Sequence, residues 1–188
     1  MGLAYGVKNL INTPLWNLIQ EKINSSNLQF EDGAVGPSYK KNVRKTKIAW
    51  IPDDLYLREQ LFYSINLYNQ QTWNYDLNGC DSVQYGSYSD GGYYDWHVDT
   101  EGIAERINGK YLIRKLSMTI WLNDPDEYEG GEFDIECTGP MEDVRYKSLK
   151  LSKGSIVIFQ SDKWHRVRPV TSGVRKSLVT WFRGPPFR

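Results

Sequence analysis

The sequence has little cysteine, no net charge and no long apolar run. Its two cysteines, Cys80 and Cys137, have neither the spacing of metal ligands nor the density of a secreted disulfide scaffold, so we expect reduced thiols in a cytoplasmic protein. Acidic and basic residues number 23 each, which argues against nucleic acid or an anionic membrane as a partner. No apolar run approaches the ~20 residues of a membrane-spanning helix, and the first residues lack the basic and apolar parts of a signal peptide.

The periodicity of apolar residues divides the chain into a helical first part and a strand-rich second part. Apolar residues at helical spacing predict one helix over 14–23 and a second that follows Asp53, its expected N-cap, as far as Tyr68. A short strand over 47–51 lies between them. From residue 81 the period changes to two and turn residues recur, which predicts about eight strands and a sandwich or jelly roll. The predicted strands lie near 81–88, 93–98, 112–122, 132–136, 147–151, 155–160, 165–170 and 175–183.

The length of 188 residues favours a single domain, in which residues 1–80 form a helical support and residues 81–188 a mainly β core with the helices packed on its outside. Residues 29–47 and 100–111 are polar and lack clear periodicity, so we expect mobile loops there that cover a site. Five basic residues lie between Lys40 and Lys47. They fit either an acidic partner or a solvated loop, and no aromatic platform for nucleic acid accompanies them.

Histidine is as scarce as cysteine, and one of the two histidines lies in the stretch 88–99. His97 is followed two residues later by Asp99, and side chains two residues apart on a strand share one face. An imidazole and a carboxylate aimed at one point are two ligands of the 2-His-1-carboxylate site that suits non-haem Fe(II). His165 is the only candidate for the third ligand. A lone His-x-Asp is more often an ordinary pair of strand residues, so the assignment depends on what accompanies it.

A second polar group follows His165. A turn at Ser172 and Gly173 is predicted to bring Arg175 back beside this histidine, and Ser177 shares the face of Arg175. The guanidinium group binds a carboxylate through two parallel hydrogen bonds. A buried arginine and serine next to a metal therefore predict a dicarboxylate ligand.

Together these motifs resemble the 2-oxoglutarate- and Fe(II)-dependent oxygenases of the prolyl 4-hydroxylase type. Residues 88–99 resemble the first iron motif of that family, and residues 153–165 resemble the strand that leads to its distal histidine. Residues 122–132 and 169–187 are most similar to the bacterial and phage branch called PKHD-type hydroxylases. The resemblance covers about the last hundred residues and is weaker in the first eighty.

The resemblance implies a double-stranded β-helix, which is a jelly roll, and a set of functional residues. His97, Asp99 and His165 would bind Fe(II). Arg175 would bind the distal carboxylate of 2-oxoglutarate with help from Ser177.

It also implies roles for several aromatic residues. Tyr88 would contact 2-oxoglutarate, and Tyr94 would line the substrate side of the metal. Trp121 stands where hypoxia-sensing relatives have a tyrosine that helps to hold 2-oxoglutarate, and it offers only an indole N–H in its place. Tyr93, Tyr94 and Trp96 could form an aromatic wall for the substrate. Core packing is the alternative explanation for these aromatic residues.

The implied reaction needs Fe(II), 2-oxoglutarate and O2, with ascorbate as a candidate reductant. Oxidative decarboxylation to succinate and CO2 would be coupled to hydroxylation, and an intact Asp99 favours hydroxylation over halogenation. The expected substrate is a prolyl residue of a protein or peptide, hydroxylated at C4. Two alternatives remain open. The oxygenase would act on another side chain, a small molecule or a nucleobase, or the chain would be a catalytically silent jelly-roll binding module.

Overall fold

Two curled antiparallel sheets face each other, and two helices cover the outer face of the larger sheet. The computed structural model describes residues 5–33, 43–100, 102, 104–137 and 145–187. The helices are α1 (Pro14–Ser25) and α2 (Leu55–Thr72), and a 3-10 turn covers Pro125–Glu127. The strands are β1 (Tyr5–Asn9), β2 (Glu31–Asp32), β3 (Arg44–Lys45), β4 (Lys47–Trp50), β5 (Gly79–Cys80), β6 (Gln84–Ser89), β7 (Tyr93–His97), β8 (Glu105–Ile107), β9 (Lys110–Trp121), β10 (Tyr128–Gly130), β11 (Phe133–Glu136), β12 (Tyr146–Leu149), β13 (Ser155–Gln160), β14 (His165–Val167) and β15 (Val170–Gly184).

The larger sheet has the order β1-β13-β9-β15-β6-β4-β2, with β5 and β10 paired to β15 and β8 paired to β9. The smaller sheet has the order β12-β11-β14-β7-β3. The predicted class, a mainly β jelly roll with helices on the outside, is confirmed. Most predicted strands are present, whereas the short strands β2, β3, β5, β8 and β10 and the N-terminal β1 were not predicted.

The first eighty residues are more than a helical support. Strand β4 pairs with β6 and β1 pairs with β13 in the larger sheet, and β3 pairs with β7 in the smaller one. The first eighty residues therefore contribute strands to both sheets as well as the two helices.

The helices pack on the larger sheet through their apolar stripes. Ile19 of α1 and Leu57, Leu61 and Ile65 of α2 are almost fully buried. Burial of each such side chain contributes about 1.5–3 kcal/mol relative to exposure. The buried sheet residues of this layer include Leu116, Met118, Ile120, Ile156, Ile158, Leu178 and Phe182.

The N-cap of α2 is Asp54 and not Asp53 as predicted. The helix begins at Leu55, and the Asp54 side chain accepts a hydrogen bond from the backbone N–H of Leu57 at 2.8 Å. Asp53 lies one residue too early to reach that N–H. Its exposed carboxylate lies 3.0 Å from Nε of Arg58 instead.

The loop prediction for 29–47 and 100–111 is wrong where these segments form strands. Strands β8 and β9 form a hairpin whose turn, Asn108 and Gly109, has φ values of 47° and 78°. Two positive φ values are what Asn-Gly turns supply. In the first segment, the ends pair with β4 and β7, while residues 34–42, with Lys40, lie outside the described residues.

The basic residues of the first segment that the structure describes have separate neighbours. Lys45 Nζ donates to the backbone oxygen of Asp90 at 2.6 Å, and Lys47 pairs with Asp32 at 2.8 Å. Arg44 instead points into a cavity between the sheets.

Both cysteines are free thiols, as expected. Burial raises the pKa of Cys80 to about 11. Within the described part of the chain, no helix is both long and apolar enough to cross a membrane.

Candidate active site

A cavity of about 320 Å³ lies between the two sheets. His97 and His165 line it from the smaller sheet, and Arg175 and Ser177 line it from the larger one. Asp99 lies just beyond the end of β7 on the same wall as the histidines. The structure therefore brings together the five polar residues that the sequence analysis singled out.

Three of these residues form a group able to hold a metal ion. Nε2 of His97 lies 3.8 Å from Oδ1 of Asp99, and Nε2 of His165 lies 3.5 Å from Oδ2. The candidate ligand atoms of the three residues all lie within 4.8 Å of one another. Two imidazole nitrogens and one carboxylate are the donor set of non-haem Fe(II) sites.

The fold positions the two histidines by direct strand pairing. His165 of β14 lies opposite His97 of β7, and their ring centroids are 4.1 Å apart. Asp99 is fixed after the strand ends, because its N–H and that of Thr100 both donate to the backbone oxygen of Ser161, at 2.9 and 3.1 Å.

Each histidine has its tautomer set by a main-chain carbonyl. Nδ1 of His97 lies 2.8 Å from the oxygen of Asp95, and Nδ1 of His165 lies 2.9 Å from the oxygen of Lys163. A carbonyl only accepts, so Nδ1 carries the proton and the lone pair of Nε2 faces Asp99. Burial, reinforced by the neighbouring His165, lowers the pKa of His97 to about 3, which keeps this imidazole neutral.

Asp99 is ionised despite its burial. Burial opposes its charge, but the neighbouring His165 and a hydrogen bond from Ser117 outweigh burial and hold the pKa of this carboxyl below its ordinary value. Ser117 Oγ donates to Oδ2 at 2.6 Å, and the hydroxyl of Ser161 lies 2.9 Å from Ser117 Oγ. Neither serine was predicted, because a serine in an alternating strand, such as Ser117, or just after one, such as Ser161, carries no signal of its own.

Arg175 occupies the wall opposite the histidines and is only 1% exposed. Its Nη1 donates to Ser177 Oγ at 3.1 Å, whereas Nε and Nη2 have no hydrogen-bond partner within the described residues. Burial lowers the pKa of Arg175, but a guanidinium group stays charged in proteins. The rings of Tyr88 and Trp121 flank it, with centroids 5.4 and 5.2 Å from Cζ. A buried cation with free donors is costly unless it binds an anion.

Arg175 reaches this position by a different route from the predicted one. No turn occurs at Ser172 and Gly173, because β15 runs unbroken from Val170 to Gly184 and belongs to the other sheet from His165. Gly173 has a φ of 72°, and a Cβ there would lie 2.2 Å from the backbone oxygen of Glu127. The glycine therefore serves the close approach of β10 and not a reversal of the chain.

Tyr94 lies in the cavity wall, as predicted, but Trp96 and Tyr93 do not. The pairing of β7 with β14 sets His97 opposite His165 and Tyr94 opposite Val167, so β7 has one extra residue. Such a β-bulge shifts the alternation of side chains. Tyr94 thus stacks on His97, with centroids 3.5 Å apart, while Trp96 faces outward against Tyr146. The predicted three-residue aromatic wall does not form.

Other residues of the wall were not predicted. Arg44 lies over the ring of Tyr94, 4.6 Å from Cζ to centroid, and its Nη2 donates to Oε1 of Gln84 at 3.0 Å. Trp50 and Trp181 border both this cavity and a wider groove beside α2. Long-range pairing brings these residues together, so no local pattern could reveal them.

The residues present fit a metal ion and a chelating dicarboxylate. Two imidazoles and an ionised carboxylate form one wall, and a buried cation with free donors forms the other. The sequence pattern of the 2OG-Fe(II) oxygenase superfamily matches residues 83–183, which include all of these groups. The chain belongs to this superfamily. Its members use Fe(II) and 2-oxoglutarate with O2, and the resemblance seen in the sequence is confirmed.

Curated relatives in this superfamily are PKHD-type hydroxylases. The protein from Stenotrophomonas maltophilia (strain R551-3) is 39% identical over 98 residues, which are 52% of this chain and 41% of that protein. The protein from Teredinibacter turnerae is 37% identical over 100 residues, which are 53% of this chain and 42% of that protein. The matched part of this chain thus covers less than half the length of these relatives.

Solved structures show the same fold at low sequence identity. A prolyl-4-hydroxylase from Pseudomonas putida has a TM-score of 0.68 at 18% identity, covering 97% of this chain and 94% of its own. A prolyl hydroxylase from Trichoplax adhaerens, in complex with a hypoxia inducible factor peptide fragment, has a TM-score of 0.62 at 19% identity, with 95% and 83% covered. The viral collagen prolyl hydroxylase of Paramecium bursaria Chlorella virus-1 has a TM-score of 0.63 at 18% identity, with 96% of both chains covered.

Proposed function

We propose that this chain is an Fe(II)- and 2-oxoglutarate-dependent dioxygenase that hydroxylates a prolyl residue of a protein or peptide at C4 and releases succinate and CO2. One observation carries the proposal. A buried group of His97, Asp99 and His165 faces a buried arginine with free donors, Arg175, across a single cavity of about 320 Å³. A dicarboxylate that chelates a metal at one end needs a cation at the other.

The side chains of this cavity have distinct tasks in the proposed reaction. His97, Asp99 and His165 would hold the metal, and Arg175 with Ser177 would orient 2-oxoglutarate through its distal carboxylate. Fe(II) bound there would supply the activation of O2, coupled to oxidative decarboxylation of 2-oxoglutarate. The buried aromatic walls limit access of water to the reacting atoms. They include Phe133 and Phe159.

The prolyl substrate is supported by chemistry and by similarity. Tyr94 lies beside the histidines on the wall of the cavity, and Trp181 lies at its border with the wider groove. Flat aromatic faces suit a proline ring, and an extended proline segment is ordered at little entropic cost. The solved structures of similar fold include a prolyl-4-hydroxylase and a prolyl hydroxylase with a bound peptide.

The proposal also includes one domain over residues 1–188, a cytoplasmic location and ascorbate as the reductant that keeps the iron ferrous.

The test is an incubation with Fe(II), ascorbate, 2-oxoglutarate and a panel of proline-containing peptides, in which succinate and peptide mass are followed together. We expect stoichiometric succinate and the gain of one oxygen atom on a proline. Both signals should disappear in the His165→Ala variant. Both should persist in the control variant Tyr146→Phe, which changes a side chain on the outer face of the smaller sheet.

The three possible failures have different meanings. Succinate without any change in peptide mass would overturn the prolyl substrate and keep the oxygenase. Hydroxylation of another residue or of an added small molecule would show that this residue or molecule, and not a prolyl residue, is the substrate. Bound metal with neither product would overturn the enzyme and favour a silent binding module.

A further inference from the structure

One carboxylate holds two arginines side by side in the wider groove beside α2. Asp81 accepts a hydrogen bond from Nε of Arg183 at 2.6 Å and another from Nε of Arg114 at 3.2 Å. Nη1 of Arg183 lies 3.2 Å from Oε2 of Glu105, in β8. Asp81 therefore connects the strand that carries Arg114 with the strand that carries Arg183.

An extra residue in β9 produces this arrangement. The pairing of β15 with β9 sets Phe182 opposite Leu116 and Arg183 opposite Arg114, so Lys115 has no residue opposite it. Such a β-bulge redirects side chains and is common beside active sites. Like charges directly opposite each other on neighbouring strands are destabilising. Two facing arginines therefore need an acid between them, and Asp81 supplies it.

Asp81 is itself fixed by its backbone. Its N–H donates to the backbone oxygen of Trp181 at 2.8 Å, and its own backbone oxygen accepts from Oγ1 of Thr180 at 3.0 Å. The carboxylate can therefore orient Arg114 from a fixed point. Cζ of Arg114 lies 3.9 Å from the ring centroid of Trp181, which is a cation–π contact.

Arg114 and Trp181 form a border between two spaces. Both residues line the cavity of about 320 Å³ and also the groove, whose volume is about 890 Å³. The groove lies between α2 and the β8–β9 hairpin. Apolar side chains from both sides line it, and they are Leu55, Phe62, Ile107 and Leu112.

The sizes of the two spaces indicate what the groove holds. Ligand pockets measure about 300–1,000 Å³, so the cavity is small for one that would hold a metal ion, 2-oxoglutarate and a target side chain together. The residues that flank the target in a polypeptide must then lie outside the cavity. The groove is continuous with the cavity at Arg114 and Trp181, and its apolar walls suit an extended chain.

We propose that Asp81 is a positioning residue for the substrate polypeptide. By holding Arg114 over Trp181, it shapes the passage from the cavity into the groove, so that the protein binds an extended polypeptide more tightly than a short peptide around the same proline. This inference rests on the proposed function and concerns which of its substrates the site favours.

The test compares two peptides that share one centre. One is a blocked tripeptide around a proline that the unmodified protein hydroxylates, and the other extends the same sequence on both sides. Each is titrated calorimetrically, without oxygen, into protein loaded with Fe(II) and 2-oxoglutarate. Asp81→Asn removes the charge at constant shape. Asp134→Asn is the matched control, because Asp134 also accepts from the Nε atoms of two arginines, Arg166 and Arg168, at 2.7 and 2.8 Å.

We expect Asp81→Asn to raise the Kd of the extended peptide about tenfold, the scale set by hydrogen bonds to charged groups. The Kd of the tripeptide should change less than about twofold, on the same scale. Asp134→Asn should leave the ratio of the two dissociation constants unchanged. This ratio guards against partial unfolding, which weakens binding of both peptides equally.

A second variant tests whether Asp81 acts through Arg114. Arg114→Met should change the ratio of the two dissociation constants in the same direction as Asp81→Asn, whereas Arg168→Met should not change it. The double variant of Asp81→Asn and Arg114→Met should bind the extended peptide no more weakly than Arg114→Met alone, because residues that act as a unit are not additive.

The contrary outcomes separate the inference from the proposed function. An unchanged ratio in Asp81→Asn, or an equal change in Asp134→Asn, would overturn the positioning role while leaving the proposed function intact. Additive losses in the double variant would show that Asp81 does not act through Arg114. Failure of the unmodified, metal-loaded protein to hydroxylate any peptide of the panel would overturn both.

Discussion

At the residue scale, the two oxygens of Asp99 have different partners. Oδ2 accepts a short hydrogen bond from Ser117, and Ser161 supports the Ser117 hydroxyl in turn. Oδ1, 3.8 Å from Nε2 of His97, is left for a metal ion. Partners of this kind fix the orientation of a ligand before the metal arrives.

We predict that Ser117→Ala weakens Fe(II) binding about tenfold or more, the usual effect of removing a hydrogen bond to a metal ligand. The measurement is a chelator competition without oxygen. Ser148→Ala is the matched control, because Ser148 also donates to a buried carboxylate, that of Asp134 at 2.5 Å, on the outer side of the smaller sheet. Equal metal affinities for the two variants would show that Ser117 does not position Asp99.

We also predict that acid destabilises the metal-free protein below about pH 6.5, the ordinary pKa of histidine. His97 has its pKa lowered to about 3 in the folded state, so only the unfolded chain takes up that proton between these values. The free energy of unfolding should therefore decrease by up to about 1.4 kcal/mol for each unit by which the pH is lowered. Urea unfolding at pH 7 and pH 5.5 measures this. The His97→Asn variant should show a smaller dependence, and an identical slope would contradict the assignment.

At the element scale, the start of α2 ties the two helices together. Asp54 caps α2 through the N–H of Leu57, and its carboxylate also forms an ion pair with Lys22 of α1 at 2.5 Å. Asp53, its neighbour, forms an ion pair with Arg58 of α2.

Asp54→Ala should lower the thermal midpoint by about 2–4 °C through loss of the cap. Asp53→Ala is the control, since an exposed ion pair contributes little, and it should leave the midpoint nearly unchanged. Differential scanning calorimetry of the two variants checks the assignment. A larger loss for Asp53→Ala would mean that the cap is misplaced by one residue.

At the scale of the whole molecule, the candidate site joins the two sheets. The metal ligands His97 and His165 belong to the smaller sheet, and Arg175 belongs to the larger one. A 2-oxo dicarboxylate bound between them would connect the sheets across the cavity.

We predict that 2-oxoglutarate at 100 times its Kd raises the thermal midpoint of the metal-loaded protein by about 5 °C or more. Arg175→Met should largely abolish this shift. Arg168→Met, on the outer face of the smaller sheet, should retain it. A full shift in Arg175→Met would show that the cosubstrate does not reach the larger sheet.

The sequence predicted the main strands, both helices and the five polar residues of the cavity, because alternation, turn residues and scarce histidines are local signals. Three features of the structure could not be predicted from the sequence. The extra residue in β7 reverses the side of Trp96, Gly173 permits the close approach of β10 and not a turn, and the three-residue strand β10 places Tyr128 beside Arg175. Each depends on which distant strand lies alongside, and single-sequence periodicity holds no information about that.

The hydrogen bonds that orient the two histidines have a consequence for sequence variation. Both Nδ1 atoms bond to the main-chain oxygen of the residue two positions earlier, Asp95 or Lys163. A main-chain oxygen is present whatever the side chain. Residues 95 and 163 can therefore be substituted without loss of the histidine tautomers. Only a change in the path of the backbone would disturb those tautomers.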